Sequence, residues 1–236
     1  MRRIGIIAAM SLEMDLILEA MGDFEENKLL SFKFYEGSIN ELEIVLVESG
    51  VGKVNAAMAT TLLISEFSCD LIINTGIAGG LPGTKCKDVI VASGLAWYDF
   101  DIRIFGYEYS QVPQMPKIFS VNPECIMLVK STLNKINIEY KTGLILSGDK
   151  FVSSLDTIAE CKDYGALACE MEGAAVAQVA TRTGVDFIVI RYISDVVGEP
   201  SQNENYLKFE EEIARRSANI TISLINNLDI WKNIMQ

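Results

Sequence analysis

Histidine is absent from the 236 residues, and cysteine is scarce. Without histidine, proton transfer near neutral pH must be carried out by Asp, Glu, Lys, Tyr or Cys, and both a Ser-His-Asp triad and a histidine-ligated metal are excluded. An odd number of cysteines with no CxxC spacing indicates neither a disulfide framework nor a zinc site. We therefore expect reduced thiols at the five positions, which are Cys69, Cys86, Cys125, Cys161 and Cys169.

Positive charge is also in short supply. Lys and Arg number 20 against 32 Asp and Glu, which gives a net charge of −12. Such a chain repels nucleic acid and anionic membranes at long range, so we predict neither as a partner. No apolar stretch approaches the roughly 20 residues that span a bilayer. The apolar segment at the amino terminus is short and is followed at once by Glu13 and Asp15, so we interpret it as the first strand of a cytoplasmic protein rather than a signal peptide.

The most apolar stretch of the chain, Phe187-Ile-Val-Ile-Arg-Tyr-Ile-Ser-Asp195, ends in a carboxylate. An apolar run of this length, rich in β-branched residues, is typical of a strand that is buried on both faces in an α/β sheet. Ligands of open α/β sheets bind outside the carboxyl ends of the strands, so Ser194 and Asp195 are candidate site residues. The length and the even composition predict one α/β domain over residues 1–236.

Other apolar runs and turn signals predict the remaining elements. Strands are expected at 4–9, 32–36, 42–48, 71–75, 89–97, 142–147 and 166–170, with the second and third in a hairpin. Helices are expected from Ser11 to Met21, after the segment 49–55, from Asn122, from Glu172, and from Tyr206 to about Asn227. The aromatic segment 98–118 is too irregular for an element and too apolar for a linker. We predict an oligomer contact there, ahead of a lid or a purely structural loop.

Two glycine-rich segments follow predicted strands. The first is Ser49-Gly-Val-Gly-Lys-Val-Asn55, which is not a Walker A loop, because Val47 and Val54 stand where a glycine and a Ser or Thr are needed. Asn55 stands where a dinucleotide fingerprint needs its third glycine. The second segment is Gly76-Ile-Ala-Gly-Gly80. The first segment is consistent with close backbone approach to a ligand or with tight strand-to-helix packing, and the second with close backbone approach to a ligand or with a tight turn.

Three acidic residues, Glu13, Glu172 and Asp195, each follow a predicted strand. A parallel sheet would bring them to one crevice, and carboxylates with divided roles, one protonated and the others ionised, are how enzymes cleave glycosidic bonds. Two alternatives stay open. Glu13 is also the residue type that the N-terminus of a helix favours, and Glu170 with Glu172 could be a surface pair outside the crevice.

An ordered set of motifs along nearly the whole chain resembles the 5′-methylthioadenosine/S-adenosylhomocysteine nucleosidases of the purine nucleoside phosphorylase superfamily. The motifs are Ile4-Gly-Ile-Ile with Ala9-Met10 and Glu13, Ser49-Gly-Val-Gly-Lys53, Asn74-Thr-Gly with Ala78-Gly-Gly-Leu81, Phe105-Gly-Tyr-Glu-Tyr109, Ser147-Gly-Asp with Phe151, Glu170-Met-Glu172, and Arg191 with Ile193-Ser-Asp195. The resemblance implies a single-domain, three-layer α/β fold with a mixed central sheet flanked by helices. It also implies hydrolysis of the N-glycosidic bond of both nucleosides to adenine and the thioribose, with no cofactor and no metal.

The resemblance further implies roles for the acidic residues and their neighbours. Asp195 would protonate N7 of adenine, which turns a poor leaving group into a neutral base. Glu13 would activate the attacking water, and Arg191 would help to hold that water and the charge of the acids. Glu172 would bind the ribose 2′-hydroxyl, with Met171 beside the sugar. Because an aspartate has a reference pKa near 3.9, proton donation at neutral pH requires a raised pKa or a strong hydrogen bond in the transition state.

The remaining implied contacts concern the base and the 5′ group. Phe151 would stack on adenine, and the backbone of Val152 would read the edge of the base. Further substrate contacts are expected at Glu170, Ser194, Ala78 and Gly79. The wall around the 5′-alkylthio group is expected from Met10, Val51 and Tyr206, completed in a homodimer by Ile102, Phe105 and Pro113 of the 98–118 loop of the second subunit.

The sequence departs from the family pattern at three places. Ile77 stands where relatives often carry Ser near the water, Ala8 replaces a frequent Gly, and the segment 196–206 does not match cleanly. The nearest rival function is phosphorolysis, which Glu13 disfavours because its charge would repel phosphate, and another is hydrolysis of futalosine-type nucleosides. Rivals of a different class are a non-catalytic nucleoside-binding protein and an Mg²⁺ site built from the same acids.

Overall fold

The computed structural model describes the backbone of residues 3–8, 11 and 14–234, and all their side chains except those of 203, 205, 207–211 and 229–234. The strands are β1 (Arg3–Ala8), β2 (Phe24–Leu29), β3 (Phe32–Ile39), β4 (Leu42–Glu48), β5 (Leu71–Asn74), β6 (Ile77–Gly80), β7 (Val89–Trp97), β8 (Phe119–Ser120), β9 (Lys141–Ser147), β10 (Ala168–Glu170) and β11 (Asp186–Val196). The α-helices are α1 (Asp15–Met21), α2 (Lys53–Ser65), α3 (Pro123–Lys135), α4 (Gly173–Thr183) and α5 (Gln202–Ile234), and 3₁₀ segments lie at Arg103–Phe105 and Leu155–Tyr164.

The strands form one mixed sheet in the order β2-β3-β4-β1-β5-β11-β6-β10-β9-β7-β8. β11 joins the two halves of this sheet, because it pairs in parallel first with β5 and then with β6. It also pairs antiparallel with β7, so that β11, β6, β10, β9 and β7 close a ring. The carboxyl end of β11 is therefore enclosed by other strands, and Ser194 and Asp195 are both buried.

Helices cover the sheet in two groups. α2 packs on α4, which also contacts β5, β7, β9 and β11. α5 packs on β11, α1 and α3. This arrangement confirms the predicted mixed α/β sheet flanked by helices, whereas the bounds of the single domain, 1–236, stay a prediction. Among the described helices, none is both long enough and apolar enough to cross a membrane.

Several elements lie where local signals predicted them. β7 has the predicted bounds, Val89–Trp97. β3 and β4 form the predicted hairpin, whose turn residue Asn40 has a φ of 55°. Asn122 caps α3 by accepting the backbone N–H of Glu124 at 3.0 Å, with Pro123 as the first helical residue. In each case a few neighbouring residues in the sequence were enough to predict the element.

Other elements differ from the prediction. Ser11 does not cap α1, because the helix begins at Asp15 with Met14 at the N-cap position, and the carbonyl oxygen of Ser11 accepts the N–H of Met14. The glycine-rich segment after β5 is the strand β6 and not a turn. A Cβ at Gly80 would lie 2.8 Å from the side chain of Ile193, so glycine allows β6 to pack closely on β11. α5 begins at Gln202 rather than Tyr206 and runs to Ile234 rather than about Asn227.

Besides the two-residue strand β8 and the short 3₁₀ segment Arg103–Phe105, two larger elements were not predicted. β2 is a strand of almost wholly exposed residues at the edge of the sheet, where it pairs only with β3. Because neither of its faces is buried, its sequence lacks the alternation that identifies a strand. The second element is the 3₁₀ segment Leu155–Tyr164, which covers a small apolar cluster around Tyr98 and Leu146.

Candidate active site

A pocket lies where β5, β10 and β11 end and β6 passes between them. It is a cleft that is partly open to solvent, with about 700 Å³ free of protein atoms when that open part is included. Among the predicted site residues, its walls contain Val51, Ala78, Gly79, Phe151, Val152, Glu170, Met171, Glu172, Arg191, Ser194, Asp195 and Tyr206. The fold therefore gathers side chains that are up to 155 positions apart in the sequence, from Val51 to Tyr206.

Three of the predicted site residues are not part of this wall, and two others cannot be placed relative to it. Glu13 and Met10 lie outside the described residues. Ile102, Phe105 and Pro113 belong to the segment 98–118 and do not line the pocket of their own chain. Phe105 is 76% exposed. These three residues were predicted to serve the pocket of a second subunit, and that role stays a prediction.

Asp195 is held at the end of β11 by one hydrogen bond to each carboxylate oxygen. It is 1% exposed. The Ser194 hydroxyl donates to Oδ1, and Nε2 of Gln202 donates to Oδ2 at 2.8 Å. Burial raises the pKa of Asp195 above its ordinary value, and the two donated hydrogen bonds oppose that rise only in part. The protonated form of Asp195 therefore persists to higher pH than in an exposed aspartate. Because Asp195 lines the pocket, this carboxyl faces the space that a ligand would occupy.

Arg191 and Glu170 form a buried ion pair beside the pocket. Nη2 of Arg191 lies 2.6 Å from Oε2 of Glu170, and both groups are almost fully shielded from solvent. Glu170 also accepts the backbone N–H groups of Glu172 and Gly173 at the start of α4, together with the Ser147 hydroxyl. Glu170 is therefore neutralised by a guanidinium and a helix N-terminus, which makes it a support for the site.

The guanidinium of Arg191 is anchored on the protein at both terminal nitrogens. Nη1 donates to the carbonyl oxygens of Asn74 and Ile190, each at 3.1 Å, and Nη2 also donates to Oδ1 of Asn74. The buried Nε has no hydrogen-bond acceptor among the described residues. The side chain lines the pocket. Its position is fixed by the bonds of the terminal nitrogens, and the N–H of Nε is still available to donate a hydrogen bond.

Glu172 is fixed by the glycine-rich segment that precedes α2. The backbone N–H of Gly52 donates to Oε1 of Glu172 at 2.8 Å, and the N–H of Lys53 donates to Oδ1 of Asp149 at 2.8 Å. Gly52 has a φ of 100°, and a Cβ there would lie 3.2 Å from Asp149. The backbone at this helix start binds carboxylates of the protein itself, and its predicted approach to a ligand stays a prediction.

Phe151 and Tyr206 stand together at the pocket mouth. Their rings meet edge to face with centroids 5.8 Å apart, and Phe151 is 48% exposed. Val152 is buried, and its carbonyl oxygen accepts a hydrogen bond from Nε2 of Gln202 at 2.9 Å. Val51, on the other side, is 50% exposed. This end of the pocket offers an aromatic face, a backbone edge and an open apolar rim.

Some residues of the site escaped prediction. Thr75, Gly76, Ile77, Lys150 and Cys169 also line the pocket, and each lies within or next to a motif that was singled out. Burial raises the pKa of Cys169 to about 12, so its thiol is neutral near neutral pH. Gln202 had no comparable signal, because it lies in a polar stretch that was predicted as a loop. Within the described part of the chain, no three His, Cys, Asp or Glu side chains are grouped as a metal site requires.

Comparisons with known proteins extend over nearly the whole chain. Residues 3–226 match the family model of the phosphorylase superfamily. A 5′-methylthioadenosine/S-adenosylhomocysteine nucleosidase of Halalkalibacterium halodurans is 40% identical over 232 residues, which are 97% of this chain and 100% of that protein. The crystal structure of an S-adenosylhomocysteine nucleosidase of Streptococcus pyogenes in complex with 5-methylthiotubericidin is 38% identical with a TM-score of 0.90, over 96% of this chain and 97% of that one. A futalosine hydrolase of Helicobacter pylori is 33% identical with a TM-score of 0.90, over 95% of this chain and 97% of that one.

Proposed function

The chain belongs to the 5′-methylthioadenosine/S-adenosylhomocysteine nucleosidases of the phosphorylase superfamily, and from this premise we propose its reaction and the roles of its residues. The protein hydrolyses the N-glycosidic bond of 5′-methylthioadenosine and S-adenosylhomocysteine, which gives adenine and the corresponding thioribose. It thereby serves methionine salvage and the recycling of adenosylmethionine by-products, and we place this activity in the cytoplasm. The observation that carries the mechanism is Asp195, a carboxyl that is 1% exposed, has a raised pKa and lies in the pocket wall.

Asp195 acts as the general acid. Its proton passes to N7 of adenine while the bond between C1′ and N9 breaks, and the bonding electron pair leaves with the base as neutral adenine. The sugar becomes an oxocarbenium-like species, which water attacks at C1′. A carboxyl with a raised pKa suits this role, because proton donation requires the protonated form at the working pH.

The sugar and the water are served by the other charged residues. Glu172 binds the ribose 2′-hydroxyl beside Met171, and the Gly52 N–H fixes the position of its carboxylate. Glu13 accepts the proton of the attacking water. Arg191 supports this step, because the Glu170 pair and the Asn74 contacts hold its guanidinium at the pocket. These assignments are supported by the pocket lining for the described residues and by the sequence motif alone for Glu13.

The base and the 5′ group contact different residues of the pocket wall. Phe151 stacks on adenine, and the backbone of Val152 reads its edge. Further contacts come from Ser194, Ala78, Gly79 and Glu170, and the 5′-alkylthio group lies against Val51, Tyr206 and Met10. The described members of this set line one continuous pocket, which supports the proposal.

The direct test of the activity is a base-release assay on five nucleosides, which detects adenine from the adenine nucleosides and hypoxanthine from inosine and futalosine. We expect methylthioadenosine and adenosylhomocysteine to be cleaved rapidly, adenosine slowly and inosine not at all, with free thioribose as the second product and no dependence on phosphate. Futalosine is the fifth substrate, because a futalosine hydrolase shares this fold at 33% identity. A requirement for phosphate with a ribose 1-phosphate product, or turnover confined to futalosine, would contradict the assignment.

A homodimer completes the 5′ end of the pocket. The segment 98–118 is fastened to its own subunit, since the Tyr164 hydroxyl donates to the Tyr109 carbonyl at 3.0 Å, the Ser110 hydroxyl donates to the Trp97 carbonyl, and Arg103 pairs with Glu160. From this fastened base the segment exposes two large apolar side chains, Ile104 at 88% and Phe105 at 76%. A rigid loop with an exposed apolar tip supports a contact with a second copy. Ile102, Phe105 and Pro113 of that copy would close the rim near Val51.

Phe105→Ala tests this arrangement through hybrid dimers. The variant should raise the KM for methylthioadenosine about tenfold, because an apolar wall of the 5′ pocket is lost. Co-expressed with Asp195→Asn chains, it should give a hybrid with one site that has both an intact acid and an intact neighbouring loop. The turnover of the purified hybrid at low substrate should therefore exceed that of either parent dimer.

Ile118→Ala is the matched control, because Ile118 lies at the other end of the same segment and is 39% exposed. It should leave the KM near that of the wild type. A monomeric mass by light scattering, or a hybrid no more active than its parents, would show that the loop does not serve a second subunit.

A further inference from the structure

Gln202, the first residue of α5, contacts both groups that the proposed function assigns to the base. Its Nε2 donates to Oδ2 of Asp195 at 2.8 Å and to the carbonyl oxygen of Val152 at 2.9 Å. Its Oε1 accepts the backbone N–H of Gly198 at 3.1 Å. Gln202 is 5% exposed. Asp195 and Val152 line the pocket, whereas Gln202 does not, so it supports the wall from outside the ligand space.

Every polar group of this carboxamide is used. A glutamine amide has two N–H donors and one carbonyl acceptor. Here the nitrogen faces two acceptors and the oxygen faces an N–H donor. The opposite orientation would place the amide oxygen against two oxygens, so the network itself fixes which way the amide points. A buried polar group that is satisfied in this way is held in one conformation.

We propose that Gln202 is a positioning residue. Its amide bonds to both the proton donor Asp195 and the backbone of Val152, and it thereby fixes the distance between the two groups that contact the nucleobase. The proposal rests on the proposed function, because it takes the roles of Asp195 and Val152 from there. Adenine presents the N7 acceptor and the N6 amino donor on one edge, side by side. A proton donor and a carbonyl acceptor must therefore be neighbours, and a single nitrogen bonded to both keeps them so.

The position of Gln202 in the chain gives this role further support. It lies in the segment 196–206, where the sequence departs from the family pattern, so the segment supplies a partner for Asp195 that the motifs did not contain. The contact with Gly198 also closes the turn between β11 and α5, because the N–H of Gln202 itself bonds to the carbonyl of Glu199 at 3.0 Å. The proton donor, the base reader and the turn are thus joined through one side chain.

Gln202 also acts on the protonation of Asp195. A donor at Oδ2 favours the ionised carboxylate, and it opposes the effect of burial together with the Ser194 hydroxyl. Among the described residues, Asp195 is the one titratable side chain that bonds to Gln202, although Glu170, Glu172, Arg191 and Lys150 line the same pocket. The thiols of Cys169 and Cys86 interact electrostatically with Asp195, and burial raises their pKa values. Both thiols are neutral near neutral pH. A change in the pH profile on removal of the amide is therefore assigned to Asp195.

The test compares Gln202→Met, which keeps the length and loses the donors, with Gln202→Glu, which keeps the shape and adds a charge. We expect Gln202→Met to lower kcat/KM for methylthioadenosine about tenfold, the size of one net hydrogen bond, with a higher KM. Its fall in kcat at high pH should move to higher pH, because the donor that favoured the ionised acid is gone. Gln202→Glu should lose more, because a carboxylate faces Asp195. Gln178→Met is the matched control, since Gln178 accepts a hydrogen bond from the Trp97 indole outside this pocket.

The outcomes separate this inference from the function on which it rests. If the wild type releases no adenine from methylthioadenosine, the proposed function fails. If the wild type is active and Gln202→Met loses only thermal stability, with KM and the pH profile unchanged, Gln202 is a packing residue and the inference is overturned. A lower KM in Gln202→Met would also overturn it, because it would show that the amide competes with the base.

Discussion

Asp195→Asn should lower the rate of adenine release from methylthioadenosine by about 10³-fold, the size of effect that a general acid contributes, and should leave the fold intact. The asparagine amide has the shape of a protonated carboxyl and can keep contacts with Ser194 and Gln202, but it cannot transfer a proton to N7. The measurement is single-turnover adenine release, with the melting temperature recorded alongside. Substrate affinity should change much less than the rate, because the lost interaction belongs to the transition state.

The same prediction has a pH dependence whose sign follows from burial. Burial raises the pKa of Asp195, so the protonated, active form persists to higher pH than for an exposed aspartate. The wild-type kcat should be highest where Asp195 is protonated and should fall as pH rises through its pKa. In Asp195→Asn the residual rate should lack this fall, because the titrating group is gone.

Asp186→Asn is the matched control, because it makes the same change at the opposite end of the same strand. Asp186 accepts a hydrogen bond from Asn122 at 3.1 Å, away from the pocket. Its rate should stay within about twofold of the wild type, as is usual for a substitution that touches no substrate-binding group. If Asp195→Asn kept full activity, or if Asp186→Asn lost as much, the assignment of Asp195 as the acid would be wrong.

Much of the site follows from one rule, that ligands of α/β sheets bind at the carboxyl ends of strands. The run that ends in Asp195 and the strand that ends in Glu170 are apolar and continuous, so their ends could be located from the sequence, and the structure places both at the pocket. The same signal fails for β6, because glycines carry no side chains that could reveal a buried strand. β6 is a strand because it pairs with β10 on one side and with β11 on the other.

Partners across the fold could not be predicted, because they depend on contacts between distant segments. The pairing of Gly52 with Glu172 joins residues 120 positions apart, and Gln202 reaches Val152 across 50 positions. Neither residue type has a local signal for such a role. The resemblance to a family supplied the acids, since they recur in its motifs, but it gave no partner for Asp195 within the segment 196–206, where the pattern stops matching.

Arg191→Met should cause the largest loss of stability among single substitutions at the site, about 3 kcal/mol in the free energy of unfolding. Removing one partner of a buried ion pair leaves the other charge uncompensated, which costs about 3–5 kcal/mol. The lower end applies here, because Glu170 keeps hydrogen bonds from two backbone N–H groups and from Ser147. Urea titration should show the loss directly, and for a chain of this size the melting temperature should fall by about 6–12 °C.

The double variant Arg191→Met/Glu170→Gln tests whether that loss of stability comes from the Glu170 charge that Arg191→Met leaves without its partner. The double variant removes both charges, so we expect it to recover part of the stability that Arg191→Met loses, as a positive coupling in a double-mutant cycle. Arg103→Met is the control for arginine loss in general, since its pairs with Asp101 and Glu160 are exposed and such pairs contribute little. A double variant no more stable than Arg191→Met would mean that the arginine acts through its contacts with Asn74 and not through the pair. In either case Arg191 stabilises the end of β11 that carries Asp195, so the stability of the fold and the position of the acid depend on the same residue.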